Sequence, residues 1–338
     1  MADAEPNHTA FQEEKTFRSY TPGQGSTYAQ NRRGYDPEFI QLIIDHHTST
    51  GGQLHTILDI GCGPGTAVRA LAPHFTHAIG LDPSEGMISA ARSLGGSARS
   101  STSTSTSTST STPTPTPDPI NFQVSTAEDL GAQLTPPIAA NSIDLVTAAT
   151  AAHWFDMARF WPRAAQVLKP GGSVALWTRG PIRVNPSVPN SAAIQVVVDE
   201  LEEKHLRPYM EVGNLHVHDL YVDLQLPWTL ATEPAGSVSE FDEGSFFRRV
   251  WDGGDDDGRF LMSQMSVDLD TLEKMVGTGS PVTRWREAHP DAVGTERDVV
   301  GVFRKEVERL LHEAGVEKGK EMVEGSQTGV LLIVKKKA

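Results

Sequence analysis

The sequence predicts an α/β fold built on a doubly wound, mostly parallel sheet of seven strands. Three observations carry that expectation. Thr56-Ile57-Leu58-Asp59-Ile60 is a short apolar run that passes through Gly61-Cys62-Gly63-Pro64-Gly65 into Thr66, the pattern of a strand, a tight turn and a helix start. A second apolar run, Ala78-Ile79-Gly80-Leu81, ends on Asp82. From there strand-like and helix-like stretches alternate, as parallel βαβ units require.

Taken in order, residues 1–15 read as a disordered tail, and Phe17 to Tyr35 is aromatic and polar. Pro37 opens an amphipathic helix through Phe39, Ile40, Ile43 and Ile44, proline being well placed in a first turn. A helix is expected from Thr66 to Phe75, and another from Pro83-Ser84-Glu85 with Met87, Ile88, Ala90 and Ala91 on its buried side. Ser97 to Pro117 is a Ser/Thr repeat running into alternating Thr-Pro. Nothing in it offsets the entropy of ordering, so 97–118 is expected to be a passive disordered insertion. Doubling a flexible surface loop costs only ~0.6 kcal/mol, so the fold can carry it.

The sheet resumes with Asn121–Val124, Ser142–Ala148 and, after the Lys169-Pro170-Gly171-Gly172 turn, Ser173–Trp177. Residues 190–206 read as a helix, a strand is expected near Trp228-Thr229-Leu230, and helical patches at 238–251, 267–276 and 295–313. Gly329–Lys335 is apolar throughout, as in a strand buried on both faces. The organisation expected is an N-terminal tail and cap over 1–36, a cofactor-binding α/β core over 37–180, and a helical substrate-cap region with the last strands over 181–338.

Composition excludes several classes. A net charge of −14 over 338 residues argues against nucleic acid as a partner, since phosphate backbones demand basic patches. An anionic small substrate would need a local cationic pocket against that field. Cys62 is the single cysteine, so no internal disulfide forms, and a reducing, cytoplasmic setting is expected. The first residues lack the apolar core of a signal peptide, and no apolar run is long enough to span a membrane. The expected assembly is a monomer or weak homodimer. No metal site is expected, because His46-His47 and His216-x-His218 lack completing ligands.

The chemistry is concentrated at the glycine turn. Glycines let the backbone approach a bulky ligand, and the helix that follows turns free N–H groups toward it. An acid at the end of the second strand can accept hydrogen bonds from a ribose. A nucleoside-containing cofactor across the carboxyl ends of the strands is therefore expected. Glycines at alternate positions depart from the dinucleotide spacing. With Asp59 two places before Gly61, they resemble motif I of class I S-adenosylmethionine methyltransferases. The Pro-Ser-x-x-Met helix after Asp82, the Ala127-Glu128 pair, the Asp144-Leu145-Val146 strand and the Leu168-Lys169-Pro170-Gly171-Gly172 turn follow in the same order. Thr16–Tyr20, Tyr28–Arg32, Tyr35-Asp36-Pro37, Ala152–Asp156 and Thr283-Arg284-Trp285 are similar to the trans-aconitate methyltransferase-like (type 11) group of fungi.

That resemblance implies S-adenosylmethionine as cofactor and a Rossmann-like sheet with an N-terminal cap and a C-terminal helical insertion. It implies methylation of a small molecule, on a carboxylate oxygen of a trans-aconitate-like acid. Two alternatives stand beside it: O- or N-methylation of a secondary metabolite, and a protein that binds the cofactor without turnover. Cofactor contacts are implied at Tyr28, Arg32, Asp59, Gly61, Cys62, Gly63, Gly65, Asp82, Pro83, Met87, Ala127 and Glu128. Thr126 stands where the group often has an acid, so Glu128 or Asp129 would meet the adenine. His153 and Trp154 follow strand four, where His153 could be a base, orient the substrate, or be structural. Arg179, Arg284 and Trp285 are the substrate-binding candidates.

Overall fold

The computed structural model describes residues 15–31, 34–98, 118–230, 240–251 and 265–338. Five parallel strands form the heart of the sheet: β1 (Thr56–Ile60), β2 (His77–Asp82), β3 (Asn121–Val124), β4 (Ile143–Ala149) and β5 (Leu168–Val184). Three more lie beyond them: β6 (Phe241–Trp251), β7 (Met265–Asp268) and β8 (Met322–Lys336). The order is β3-β2-β1-β4-β5-β8-β6, with β8 antiparallel to both neighbours and β7 paired with the start of β8. The short β7 is one strand more than the expected seven. The chain runs outward from β1 to β3 and then returns to β4. The crevice where the winding reverses is thus at the carboxyl ends of β1 and β4, where doubly wound sheets bind ligands.

Alternate strand residues feed two cores. Ile57, Leu145, Ala175, Trp177, Leu331 and Ile333 face one side, against α2 (Pro37–Ser49), α3 (Thr66–Leu71) and α4 (Glu85–Leu94). Leu58, Val146, Val174, Leu176, Val330 and Leu332 face the other, against α5 (Met157–Val167). The period of two across adjacent residues is what puts both faces of one strand to use. Side-chain caps start α2 and α4. Asp36 accepts from the amide of Glu38 at 2.8 Å ahead of α2, and the Ser84 hydroxyl accepts from Met87 at 3.3 Å ahead of α4.

A third core lies in the second half of the chain. It joins α6 (Ser191–Glu200), α8 (Leu269–Val276), α9 (Ser280–Ala288) and α10 (Val299–Glu313) through Ile194, Val198, Leu272, Val282, Phe303 and Val307. Before α1 (Pro22–Asn31) and along it, Phe17, Tyr20 and Tyr28 meet edge to face, with ring centroids 5.3–6.4 Å apart. Gly25 of α1 lies directly on Gly86 of α4: a Cβ there would come within 2.7 Å of the Gly86 carbonyl oxygen. No helix among the described residues is long and apolar enough to cross a membrane.

Two expectations in the second half are corrected. Residues 241–251, expected to be helical, form β6, because Phe247, Val250 and Trp251 find pairing partners along β8 that outweigh local propensity. The expected strand at 228–230 is a turn, closed by Leu226 N–H donating to the Thr229 hydroxyl at 2.9 Å. Residues 1–14 of the expected tail and 99–117 of the Ser/Thr/Pro insertion lie outside the described residues. The two ends of the insertion meet, with Ala98 N–H donating to Asp118 O at 2.8 Å.

At the other end of the sheet from the crevice, Lys335 is buried, its ammonium 3.4 Å from both His47 O and the Ser173 hydroxyl. Burial pulls its pKa down to about 8. Since the unfolded lysine titrates near 10.4, the folded state binds fewer protons between those values, and stability rises with pH across that window. Lys335→Met should therefore be more stable than the wild type at pH 7, by roughly 3 kcal/mol at most. The gap should close by about pH 10.5, above the unfolded pKa. A pH-independent gap in thermal unfolding would refute this assignment.

Candidate active site

The carboxyl end of β1 turns back under β2: Cys62 N–H donates to Leu81 O at 3.0 Å, and Gly65 N–H to Cys62 O at 2.9 Å. Gly63 (φ +53°) and Gly65 (φ +86°) both take left-handed backbone that side chains disfavour. Their reasons differ. A Cβ on Gly65 would stand 2.7 Å from the Phe122 ring, so this glycine serves packing. A Cβ on Gly63 would meet nothing within 4 Å, because that side opens into a cavity.

Asp82, at the end of β2, holds the turn. One carboxylate oxygen accepts from Gly63 N–H at 2.8 Å and the other from Ser84 N–H at 2.8 Å. The carboxylate also lines the cavity, where a ligand hydroxyl could donate to it. Asp59 lies beneath the turn, fully buried; one oxygen accepts from the Thr147 hydroxyl at 2.6 Å and the other has no hydrogen-bond partner. Burial, with the charge of Asp82 adding to it, lifts its carboxyl to about 7.

The cavity encloses about 1070 Å³, solvent at its mouth included. Gly61, Cys62, Gly63, Asp82, Pro83, Met87, Ala127, Glu128 and Tyr28 all line it, as do Trp154 and Arg179. Asp59 and Gly65 are behind the wall, and Arg32 lies outside the described residues. Phe17, Arg18, Tyr35, Thr150 and Phe155 also line it and were not foreseen as site residues. Phe17, Arg18 and Tyr35 had stood out only as pieces of sequence pattern, and nothing in their spacing says that a segment before β1 folds over the carboxyl edge.

The charges are arranged by strand. Asp82 and Glu128 belong to the β2 and β3 side; Glu128 also accepts from Asp156 N–H at 2.9 Å. Arg179 stands on β5, buried, its guanidinium 5.6 Å from the centre of the Tyr35 ring. Arg18 joins it on the wall from the N-terminal segment.

The remaining candidates lie elsewhere. His153 bonds through Nδ1 to the Tyr221 hydroxyl at 2.9 Å and does not line the cavity. Burial, with His216 nearby, lowers its pKa to about 3, so the ring is neutral at physiological pH. Burial raises the Tyr221 phenol above its ordinary range. Arg284 and Trp285 sit on α9 away from the wall, Trp285 stacked on His289 at 4.3 Å. Among the described residues Glu308, His312 and Glu321 gather at the surface, where His312 and Glu321 form an ion pair at 2.6 Å.

Residues 58–176 match the family described as Methyltransferase domain. CRG1 of Saccharomyces cerevisiae, whose name assigns it to the S-adenosylmethionine-dependent methyltransferases, is 28% identical over 300 residues. That match covers 86% of this chain and 88% of the yeast protein. A Dictyostelium discoideum protein described as a methyltransferase is 28% identical over 206 residues, covering 59% of this chain and 62% of its own length. Methyltransferase cfoB of Aspergillus candidus is 29% identical over 166 residues, 48% of this chain and 45% of that one. In fold, a type II methyltransferase of Anaeromyxobacter dehalogenans superposes over 89% of this chain and 97% of its own with a TM-score of 0.56, at 22% identity.

Sheet order, glycine turn and strand-end acid thus define a nucleoside-binding α/β enzyme of Rossmann-like type. Over residues 58–176 the chain is similar to the type 11 methyltransferase domain family, and its cofactor is S-adenosylmethionine. The site fits that cofactor. Gly63 offers an open face where a Cβ would intrude, Asp82 presents its carboxylate to the cavity, and the buried Asp59 has an oxygen without a hydrogen-bond partner that a cationic group could satisfy.

The two glycines separate in experiment. An L-residue in left-handed backbone costs ~1–2 kcal/mol, so both alanine variants lose some stability. Gly65→Ala should lose far more, by displacing Phe122. Gly63→Ala should stay folded and bind S-adenosylhomocysteine at least tenfold more weakly by calorimetry. Equal affinity in Gly63→Ala and wild type would remove Gly63 from the cofactor's path.

Proposed function

We propose that this enzyme methylates a carboxylate oxygen of a small organic acid of the trans-aconitate type. The observation that supports this best is Arg179. It places a buried guanidinium on the β5 side of the cavity, across the glycine turn from the acids of the β2 and β3 side. A guanidinium offers paired donors that match the two oxygens of a carboxylate, and in a chain of net charge −14 it supplies the local positive field such a substrate needs.

The division of labour follows from the strand order. Asp82 would hold the ribose, Pro83 and Met87 would flank the adenine, and Glu128 would reach the base. Gly61 and Gly63 would admit the methionine part above Asp59. When bound, S-adenosylmethionine supplies a methyl group on a sulfonium, ready for displacement. The protein's part is to hold an oxygen in line with it, and such positioning contributes up to ~7–11 kcal/mol in the best intramolecular systems. Trp154, Phe155, Phe17 and Tyr28 would exclude water. No proton needs to move, because a carboxylate is already ionised at pH 7. This agrees with a His153 that is neutral and committed to Tyr221; we assign His153 to support of the Trp154 turn.

Transfer of labelled methyl from S-adenosylmethionine should be measured against di- and tricarboxylic acids and against their methyl esters. The product label should be released as methanol in mild alkali, as an ester demands; alkali-stable label would instead indicate ether or amine methylation. With S-adenosylmethionine saturating at every pH, turnover should be level between pH 6 and 8, whereas a base of pKa near neutrality would make it climb. Arg179→Gln should cut kcat/KM for the acid 10- to 100-fold, the loss of a charged hydrogen bond of ~1.5–3 kcal/mol, and leave homocysteine-product affinity unchanged. Asp82→Ala should do the reverse, weakening cofactor binding by roughly one to two decades.

A further inference from the structure

Arg284 does not line the cavity, yet it touches both of the segments that cover it. Its guanidinium is largely buried, 15% exposed, on α9. Nε donates to Tyr209 O at 2.7 Å. Nη1 donates to the Thr16 hydroxyl at 3.2 Å and to Glu211 Oε2 at 3.2 Å. Nη2 donates to Asn214 Oδ1 and to the Ser280 hydroxyl, the latter at 3.4 Å.

These partners belong to two structures. Thr16 immediately precedes Phe17 and Arg18 of the cavity wall. Glu211 and Asn214 form the reciprocal cap of α7 (Val212–His218), in which Asn214 Oδ1 also accepts from Glu211 N–H at 3.0 Å. Between them Gly213 lies flat on Trp154: a Cβ there would stand 2.4 Å from the indole ring. Trp154 in turn lines the cavity. One side chain thus links the N-terminal cover to the helix that backs the tryptophan.

We propose that Arg284 is a positioning residue that ties the 15–20 segment to the first turn of α7, so that Phe17, Arg18 and Trp154 close on the ligand as one wall. The N-terminal segment has a separate anchor in the Gly25–Gly86 contact between α1 and α4, so losing the tie frees one end of the cover and leaves the other in place. The planar fork is essential, because a single ammonium cannot reach Thr16, Asn214 and the Tyr209 carbonyl together. This inference rests on the cavity being the site of methyl transfer.

Two variants test it without dismantling the fold. Arg284→Lys keeps a cation beside Glu211 and should keep the melting temperature within a few degrees. Thr16→Val keeps shape and removes only the acceptor at the N-terminal end. Both should weaken S-adenosylhomocysteine binding five- to thirtyfold by calorimetry and raise amide hydrogen exchange in residues 15–20. The double variant should be no worse than Arg284→Lys alone. The proposal is overturned if Thr16→Val binds within twofold of wild type, if the two losses multiply, or if exchange rises around α7 and α9 but not in 15–20. Failure of the wild type itself to bind the homocysteine product would sink the reading of the cavity instead, a result separable from any of these.

Discussion

The carboxylate of Asp82 is the constraint on which the site depends. By accepting from Gly63 N–H and Ser84 N–H at 2.8 Å each, it joins the glycine turn after β1 to the helix start after β2. Two loops from neighbouring strands are thereby held to one geometry, and backbone groups that would otherwise need water are satisfied. The hydrogen bonds are charge-assisted and partly shielded, the condition under which they are strongest. A glycine turn free of this tie could take many shapes, since the same absence of Cβ that admits a ligand also enlarges the unfolded ensemble.

The acids beneath the turn form a graded pair. Asp82 has two amide donors and Asp59 has one hydroxyl and a bare oxygen. Burial is the main force that pushes Asp59 up to about 7, and the charge of Asp82 adds to it. A cation drawn to Asp59 would reverse that balance, favouring the ionised form and coupling ligand capture to proton release.

The β1 and β2 side of the cavity was legible in the sequence because its determinants are local. Gly61, Gly63, Asp82, Pro83 and Met87 sit within one strand-turn-helix unit and the next strand end, where steric and hydrogen-bonding rules act over a few residues. The opposite side was not, because it is assembled from a distance. Phe17 and Arg18 come from before the first strand and Arg179 from within β5. Arg179 could be named because it follows a strand directly. Arg284 could be named as a cation but not placed, since its partners lie up to 268 residues away in sequence. The same limit explains β6, whose aromatic stretch reads as a helix until β8 is beside it.

This asymmetry has a physical consequence for how such a site can change. The cofactor cradle is made of backbone amides and a bridging acid, and almost any substitution there disturbs the turn itself. The opposite wall is made of side chains carried on α1 and the segment before it, the turn after β4, and β5, with anchoring contacts outside the cavity: Gly25 on Gly86, His153 on Tyr221, Gly213 on Trp154. Replacing Tyr35 or Phe155 alters the shape presented to an acceptor without touching Asp82 or Gly63. The architecture therefore separates what must stay constant, the hold on the sulfonium cofactor, from what can vary. On the proposed reading, a few side chains on the β4 and β5 side would set acceptor identity, with Arg179 deciding whether the acceptor must carry a negative charge.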